Sequence, residues 1–388
     1  MKALICGAGI AGLALANRLH HHGWQVLVVD HAPGPRAQGY MIDFFGPGFE
    51  AVTAMGLETA LRKAASPVNE FRYVDDHGTT TVQVDYDLFS KALRGQIASV
   101  MRPAIEGMLR ESLADDIELR YGTTVDQIDD DKAVLSDGTT IDADLIVGAD
   151  GVHSRIRALT FGPEKDYLRY LGMHTAAYVF TDPGMHEQVR GQFVLTETVN
   201  RQMGFYGLGD DRVAVFTVHR TADPVLPADP REALRQEFAD MGDLAERALS
   251  QCPPPDQVYY DQVAQIDLPQ WCDGRVALVG DAAYAVSLVA GQGASLGVAG
   301  AYILAQRLHV APSVVEGIAD YEARWRPVAT GVQSAARNRV TEWFLPTSKT
   351  KLVLRRWGFR AMNLPGLNRV MVGPLFPKDH RTVAELSA

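Results

Sequence analysis

The first thirty residues constrain this chain most. An apolar run at residues 3–6 ends in Gly7-Ala8-Gly9-Ile10-Ala11-Gly12, and residues 11–22 then carry Leu13, Leu15, Ala16 and Leu19 at helical spacing. Gly23 stops that helix, and a second apolar run, residues 25–29, closes on Asp30. Strand, helix and strand at such short range require a parallel pair, because the helix must pack back over the sheet by a right-handed crossover. Each glycine has a separate duty. Gly7 permits the tight turn, Gly9 lets the backbone up to Ala11 approach a pyrophosphate, and Gly12 lets helix and strand pack closely. The helix N-terminus offers free N–H groups and partial positive charge to phosphates. Asp30 stands where a carboxylate accepts hydrogen bonds from an adenosine ribose. The pattern predicts dinucleotide binding and leaves FAD and NAD equally open.

Two later strand ends repeat the logic. Leu145-Ile146-Val147-Gly148-Ala149 is apolar throughout and delivers Asp150-Gly151 to the carboxyl edge of the sheet, where ligands of open α/β sheets collect. Val276-Ala277-Leu278-Val279-Gly280 delivers Asp281 in the same way, and Gly291-Gln292-Gly293-Ala294 opens a long helix over residues 293–308. Either aspartate could instead cap the segment that follows it.

Between these sites the texture changes. Residues 49–65, 97–113 and 230–250 read as helices; residues 71–84 read as a hairpin turning at Asp76-His77-Gly78; alternating strands dominate residues 167–260. A length of 388 residues allows two or three lobes. The expected fold class is α/β: a Rossmann-like domain assembled from residues 1–70, 97–166 and 265–330, an inserted antiparallel domain from 71–96 and 167–264, and a C-terminal helical region, 331–388.

A net charge of −10 would repel a phosphate backbone, so nucleic acid is not an expected partner. Three cysteines without a CxxC pair exclude a disulfide framework and point to a reducing cytoplasm. No apolar run reaches the roughly 18 residues of a membrane span, and no signal-peptide pattern precedes the first strand. The triple His20-His21-His22 sits at a helix C-terminus, where adjacent residues face different directions, so no metal site is expected. The basic tail from Lys349 holds an amphipathic stretch with Trp357 and Phe359, read as a helix that covers the active site or meets a partner subunit.

Together, the three motifs resemble the flavin-dependent aromatic hydroxylases of the para-hydroxybenzoate hydroxylase class, with a particular likeness to tetracycline-inactivating members. The likeness runs from Lys2 to about residue 339. It implies that Gly7, Gly9, Ala11, Gly12 and Asp30 hold the ADP half of FAD, and that Asp281 meets the ribityl and pyrophosphate region. It further implies that Asp150 serves FAD and NADPH handling, and that Arg102, Arg36, Asp43, Gly291, Gly293 and Ala294 lie on the flavin side. Reduction by NADPH or NADH, oxygen addition to give a flavin C4a-hydroperoxide, and hydroxylation of an aromatic or polyketide-like molecule by a monomer or homodimer are the implied chemistry. Many members have His, Pro and Asn where this chain has Tyr284, Leu288 and Ser295; the phenol of Tyr284 is expected to pack rather than to line the site. Gln192, Arg201, Tyr206 and His219 are the candidate substrate contacts, with Phe193, Met203, Phe205 and Phe216 as a pocket floor. The rival readings are a reductase or dehydrogenase of the same fold, which inserts no oxygen, and a flavin-binding regulator without turnover. A halogenase is disfavoured by the missing WxWxIP segment.

Overall fold

Apolar strands whose neighbours lie far apart in sequence can pair only if the chain returns repeatedly to one sheet, and this chain does so. The computed structural model describes residues 1–35, 39–129, 132–287, 291–337, 344–362 and 382–388. In chain order its strands are β1 (Lys2–Cys6), β2 (Gln25–Asp30), β3 (Met41–Phe45), β4 (Glu70–Val74), β5 (Thr80–Asp85) and β6 (Ile97–Met101). Then come β7 (Glu118–Tyr121), β8 (Val125–Asp129), β9 (Lys132–Leu135), β10 (Thr140–Asp142), β11 (Leu145–Gly148) and β12 (Leu168–Thr181). The last are β13 (Gln192–Thr198), β14 (Arg201–Gly207), β15 (Arg212–Arg220), β16 (Tyr259–Ile266), β17 (Cys272–Asp273) and β18 (Val276–Leu278).

The first sheet runs β17-β18-β11-β1-β2-β7 and is parallel apart from its β17 edge. Three distant segments therefore bring the ends of β1, β2, β11 and β18 to one carboxyl edge. Helices Ile10–His21 and Gly293–Val310 pack against each other over that edge. They approach closely because Ala11, Gly280 and Gly297 meet there: a Cβ on Gly280 would lie 2.8 Å from that of Ala11.

The second sheet runs β16-β12-β15-β14-β13-β4-β5, antiparallel except for the β13–β4 pair. One face buries Val194, Met203, Phe205 and Val215 against Leu234, Phe238 and Ala245, from helices Pro230–Phe238 and Asp243–Ser250. The other face carries Phe193, Leu195, Phe216 and Val218 toward the first sheet. Helix Lys349–Met362 packs along β5 on that same side, with Phe359 stacked on Tyr73 and Arg355 paired with buried Glu197. Two smaller sheets, β3-β6 and β10-β9-β8, complete the strands.

Three helices read from periodicity differ in the structure, each for an identifiable reason. Residues 49–65 form two helices, Pro47–Ala54 and Glu58–Ala64, because Gly56 turns at φ +74° and Leu57 bonds back to Val52. Residues 230–250 likewise break at Gly242, which adopts φ +92° and must be glycine because a Cβ would also meet the Asp76 carbonyl oxygen at 2.3 Å. The stretch 97–113 is strand β6 followed by helix Arg102–Glu111; pairing with β3 overrides the apolar pattern until Pro103 starts the helix. Among the described residues no helix is long and apolar enough to cross a membrane, and no cluster of His, Cys, Asp or Glu is arranged to hold a metal ion. His22 stacks on His309, and burial together with that neighbour lowers its pKa to about 4.

Candidate active site

The three strand ends open onto one cavity of about 820 Å³ that continues under the second sheet. At its first end, Gly7 adopts φ +110° and a Cβ there would fall 2.3 Å from the Ala149 carbonyl; a Cβ on Gly12 would fall 1.9 Å from the Gly7 carbonyl. Nothing lies within 4 Å of the Cβ position of Gly9, so its backbone faces open space in the cavity. Helix Ile10–His21 has neither a side-chain cap nor an acid in its first turn, which leaves its N–H groups to whatever occupies that space. Asp30 is fixed by two backbone donors, Ala8 N–H to Oδ2 at 2.7 Å and Ala32 N–H to Oδ1 at 2.8 Å.

Asp150 lines the cavity but is also a cap. Its Oδ1 accepts from the Ser154 hydroxyl at 2.5 Å, and its Oδ2 from the Arg155 and Ile156 N–H groups at 2.7 and 3.1 Å. Burial nevertheless raises its pKa. Arg157, fully buried, donates to the Val152 carbonyl at 2.6 Å and to the Ala282 carbonyl at 2.9 Å, tying the second site to the third. Asp281 opens the short helix Asp281–Tyr284, and burial raises its pKa against the opposing pull of Arg102. Burial works against the Arg102 guanidinium too, yet Tyr40, Glu106 and Asp281 around it hold its pKa above the ordinary value.

Gly291 turns at φ +65° with open space beside it, and Gly293 and Ala294 follow on the cavity wall at the uncapped start of helix Gly293–Val310. Ser295 faces away from the cavity: its Oγ accepts from Gly48 N–H at 2.9 Å and bonds the Phe45 carbonyl, pinning β3 to the long helix. Tyr284 packs instead of lining the site, buried against Trp271 with ring centroids 4.7 Å apart. Arg36 and Leu288 lie outside the described residues.

The far end of the cavity is an aromatic chamber of Tyr40, Phe193, Tyr206, Phe216, Tyr259 and Phe344. Tyr40 stands 6.1 Å from Phe216 and 6.2 Å from Tyr259, ring to ring, and Phe193 stands 5.5 Å from Tyr206. The Tyr206 hydroxyl accepts from Met41 N–H, which fixes the wall between chamber and β3. Of the four polar candidates on the strands, only Tyr206 reaches the cavity. The period of two explains the others. Phe193, Tyr206 and Phe216 share one face, so Gln192, Arg201 and His219 belong to the opposite one.

On that opposite face Arg201 makes a two-pronged ion pair with Asp240 at 2.6 and 2.9 Å, and His219 is buried against Phe238 and His174. Met203 and Phe205 fill the helix-side core, not the pocket floor. Tyr40, Tyr259, Phe344 and Ser287 also line the cavity and are not among the residues expected from sequence. For Tyr259 the signal was present, since alternation from Asp261 on β16 places both on one face; Phe344 gave none.

Ser287 bears on whether the cradle fits a flavin dinucleotide. It is a cavity-lining residue at φ +75°, and among the described residues its buried Oγ has no partner. Orphaned hydroxyl, open glycine turns, uncapped helix starts and a fixed carboxylate fit a long coenzyme with a pyrophosphate and polar ring edges. Fold and site thus define a dinucleotide-binding α/β protein whose coenzyme groove opens onto an aromatic chamber.

Comparison with known proteins narrows this class. Residues 1–336 match the family model described as FAD binding domain. An uncharacterized protein of Mycobacterium tuberculosis is 33% identical over 344 residues, 83% of this chain and 89% of that one. Monooxygenase CTB7 of Cercospora beticola is 30% identical over 81% of this chain and 80% of its own. The crystal structure of tetracycline destructase Tet(55) superposes with a TM-score of 0.79 at 28% identity, over 93% of this chain and 96% of that one. The chain belongs to the FAD binding domain family and is an FAD-dependent monooxygenase of the aromatic-hydroxylase type.

Proposed function

We propose that this monooxygenase uses NADPH or NADH and dioxygen to hydroxylate an aromatic or polyketide-like small molecule in the cytoplasm. Bound FAD would supply the redox chemistry, accepting hydride and activating oxygen. The chain's own residues bind, orient and exclude water. Gly9, Ala11 and the N–H groups of helix Ile10–His21 take the pyrophosphate and Asp30 the ribose, while Arg102, Asp281 and Ser287 meet the middle of the coenzyme. The N-terminus of helix Gly293–Val310, past Gly291 and Gly293, favours negative charge on the flavin ring by roughly 0.3–2 kcal/mol. We assign residues 1–70, 97–166 and 265–330 to the cofactor domain and 71–96 and 167–264 to the substrate domain.

The observation that carries this reading is a single cavity running from Asp30 to the aromatic chamber. The test is a panel of phenols, quinones and tetracyclines, the last because Tet(55) is named for them. The expected result is stimulated NADPH oxidation with one labelled atom from ¹⁸O₂ in the product. Reduction of a substrate double bond without label favours the reductase, and bound FAD that neither nicotinamide cofactor reduces favours the regulator.

A further inference from the structure

Helix Lys349–Met362 carries five Lys or Arg and no acid in its fourteen residues. Its inner face is fixed to the second sheet. Leu352 and Met362 are buried, Arg355 and Arg356 both pair with buried Glu197, Phe359 stacks on Tyr73, and Arg360 donates to the Thr81 carbonyl at 3.0 Å. The outer face is apolar at its centre: Val353, Leu354 and Trp357 are 59%, 69% and 69% exposed. At about 100° per residue these three fall within an arc of roughly 100°. Lys349 and Arg360 border that arc beside Val353, and Lys351 borders it beyond Leu354, all three exposed. Single exposed apolar side chains are ordinary on a protein surface, whereas an indole with two aliphatic neighbours inside a cationic rim marks a contact surface.

Charge selects the occupant. A second copy pairing the same faces across a two-fold axis would set Lys349, Lys351 and Arg360 beside their own duplicates, which like charge opposes. An anionic bilayer complements both parts of the face. The indole and the two aliphatic chains enter the headgroup boundary, while the cations meet lipid phosphates and their stems follow the apolar surface. Because the inner face is already anchored, the helix is formed before contact and loses no backbone freedom on docking. A net charge of −10 keeps the rest of the chain away from the same lipids, so the molecule approaches them by this face.

We propose that the outer face of helix Lys349–Met362 docks on the surface of an anionic phospholipid bilayer, with Trp357 at the headgroup boundary and the chain lying on the membrane without spanning it. Phe344 of the aromatic chamber precedes the helix by five residues, at most about 18 Å of chain. Docking therefore holds the chamber near the lipid phase, where apolar small molecules concentrate. The docking itself stands apart from the monooxygenase reading and is measured without turnover.

The experiment uses the full-length FAD-loaded protein and two sets of vesicles, phosphatidylcholine alone and phosphatidylcholine mixed with phosphatidylglycerol. The protein should sediment with the mixed vesicles, bind the neutral ones more weakly, and lose affinity for the mixed ones by about tenfold or more as salt rises from about 0.05 M to about 0.5 M. Lys349→Glu with Lys351→Glu should weaken binding at least about thirtyfold, and Trp357→Ser about tenfold. Bromine on the lipid chains near the headgroup should quench wild-type tryptophan emission. Trp357→Phe should still bind but lose most of that quenching, since Trp24, Trp271 and Trp325 are buried. The substituted side chains are exposed, so the variants should keep the wild-type melting temperature. No sedimentation with the mixed vesicles, equal affinity for both vesicle types, unchanged binding by the serine and double glutamate variants, or quenching that survives Trp357→Phe would each overturn the proposal. So would a wild-type dimer in sedimentation equilibrium that Trp357→Ser converts to monomer, which assigns the face to a second copy.

Discussion

Replacing Asp30 with Asn keeps size and shape but changes what the side chain can accept, so it separates two duties of this carboxylate. Both oxygens are engaged by backbone donors, Ala8 at 2.7 Å and Ala32 at 2.8 Å. An amide offers one oxygen, so one of these N–H groups must face an NH₂ group. A buried donor left without its acceptor costs about 1–3 kcal/mol. The apoprotein should therefore lose about that much stability in urea. The second duty concerns the coenzyme, because a hydrogen bond from a ribose hydroxyl to a charged acceptor contributes about 1.5–3 kcal/mol. At about 1.4 kcal/mol per decade, FAD affinity should fall roughly 10- to 150-fold beyond the stability effect. Flavin fluorescence quenching on binding reads the dissociation constant, and urea titration of apoprotein reads the first term. An Asn variant that binds FAD within twofold of wild type would refute the ribose assignment; unchanged apoprotein stability would refute the claim that the two N–H groups depend on the charge.

Other sites give independent tests. Gly12→Ala places a methyl 1.9 Å from the Gly7 carbonyl, so the purified variant should lose its yellow colour or fail to fold, and retention of stoichiometric FAD would contradict the packing. Glu197→Gln removes the buried carboxylate that pairs with both Arg355 and Arg356 and should lower stability by about 3–5 kcal/mol, whereas Glu197→Met with Arg355→Met should recover part of that; equal melting temperatures for all three proteins would refute it. His219 should make the fold acid-labile. Its pKa is lowered to about 4 by burial, with His174 and Arg201 adding repulsion, so the folded state binds fewer protons than the unfolded one. Stability should be constant above pH 6.5 and fall by about 1–3 kcal/mol between there and pH 4. A His219→Gln variant should flatten that slope in chemical unfolding, and an unaltered slope would count against it.

The cofactor end was legible in sequence because its requirements are local. A turn that accepts only glycine at Gly7, a strand apolar on both faces before Asp150, and the same arrangement before Asp281 are each set within a dozen residues, and the resulting parallel sheet follows from chirality. The helix boundaries were less legible. Periodicity runs through Gly56, where a local left-handed turn ends the helix, through Gly242, which packs against the Asp76 backbone, and through residues 97–101, where β3 competes for the backbone. Arg157 carried no signal either, since its partners are the carbonyls of Val152 and Ala282, and no side-chain pattern announces a carbonyl.

At the chamber end the deciding property is parity, which alternation along each strand carries. Gln192, Arg201 and His219 have the chemistry of substrate contacts but lie on the opposite face from the aromatic residues of the chamber. A hairpin fixes that relation. With Phe193 opposite Tyr206, every second residue outward on both strands is committed to the same side, and β15 inherits the commitment through Gly204 opposite Phe216. Phe193 and Phe216 then exclude Phe205 and Met203 from the pocket, and with them Arg201 and His219. Gly204 between the two phenylalanines is the sequence mark of that choice: a Cβ there would stand 3.0 Å from Phe193 and Leu195, so the strand gives up a side chain where an aromatic ring needs the space. Polar residues on such a sheet are substrate candidates only after the face has been fixed by its aromatic and glycine pairs, and by that criterion Tyr206 alone qualifies among the four.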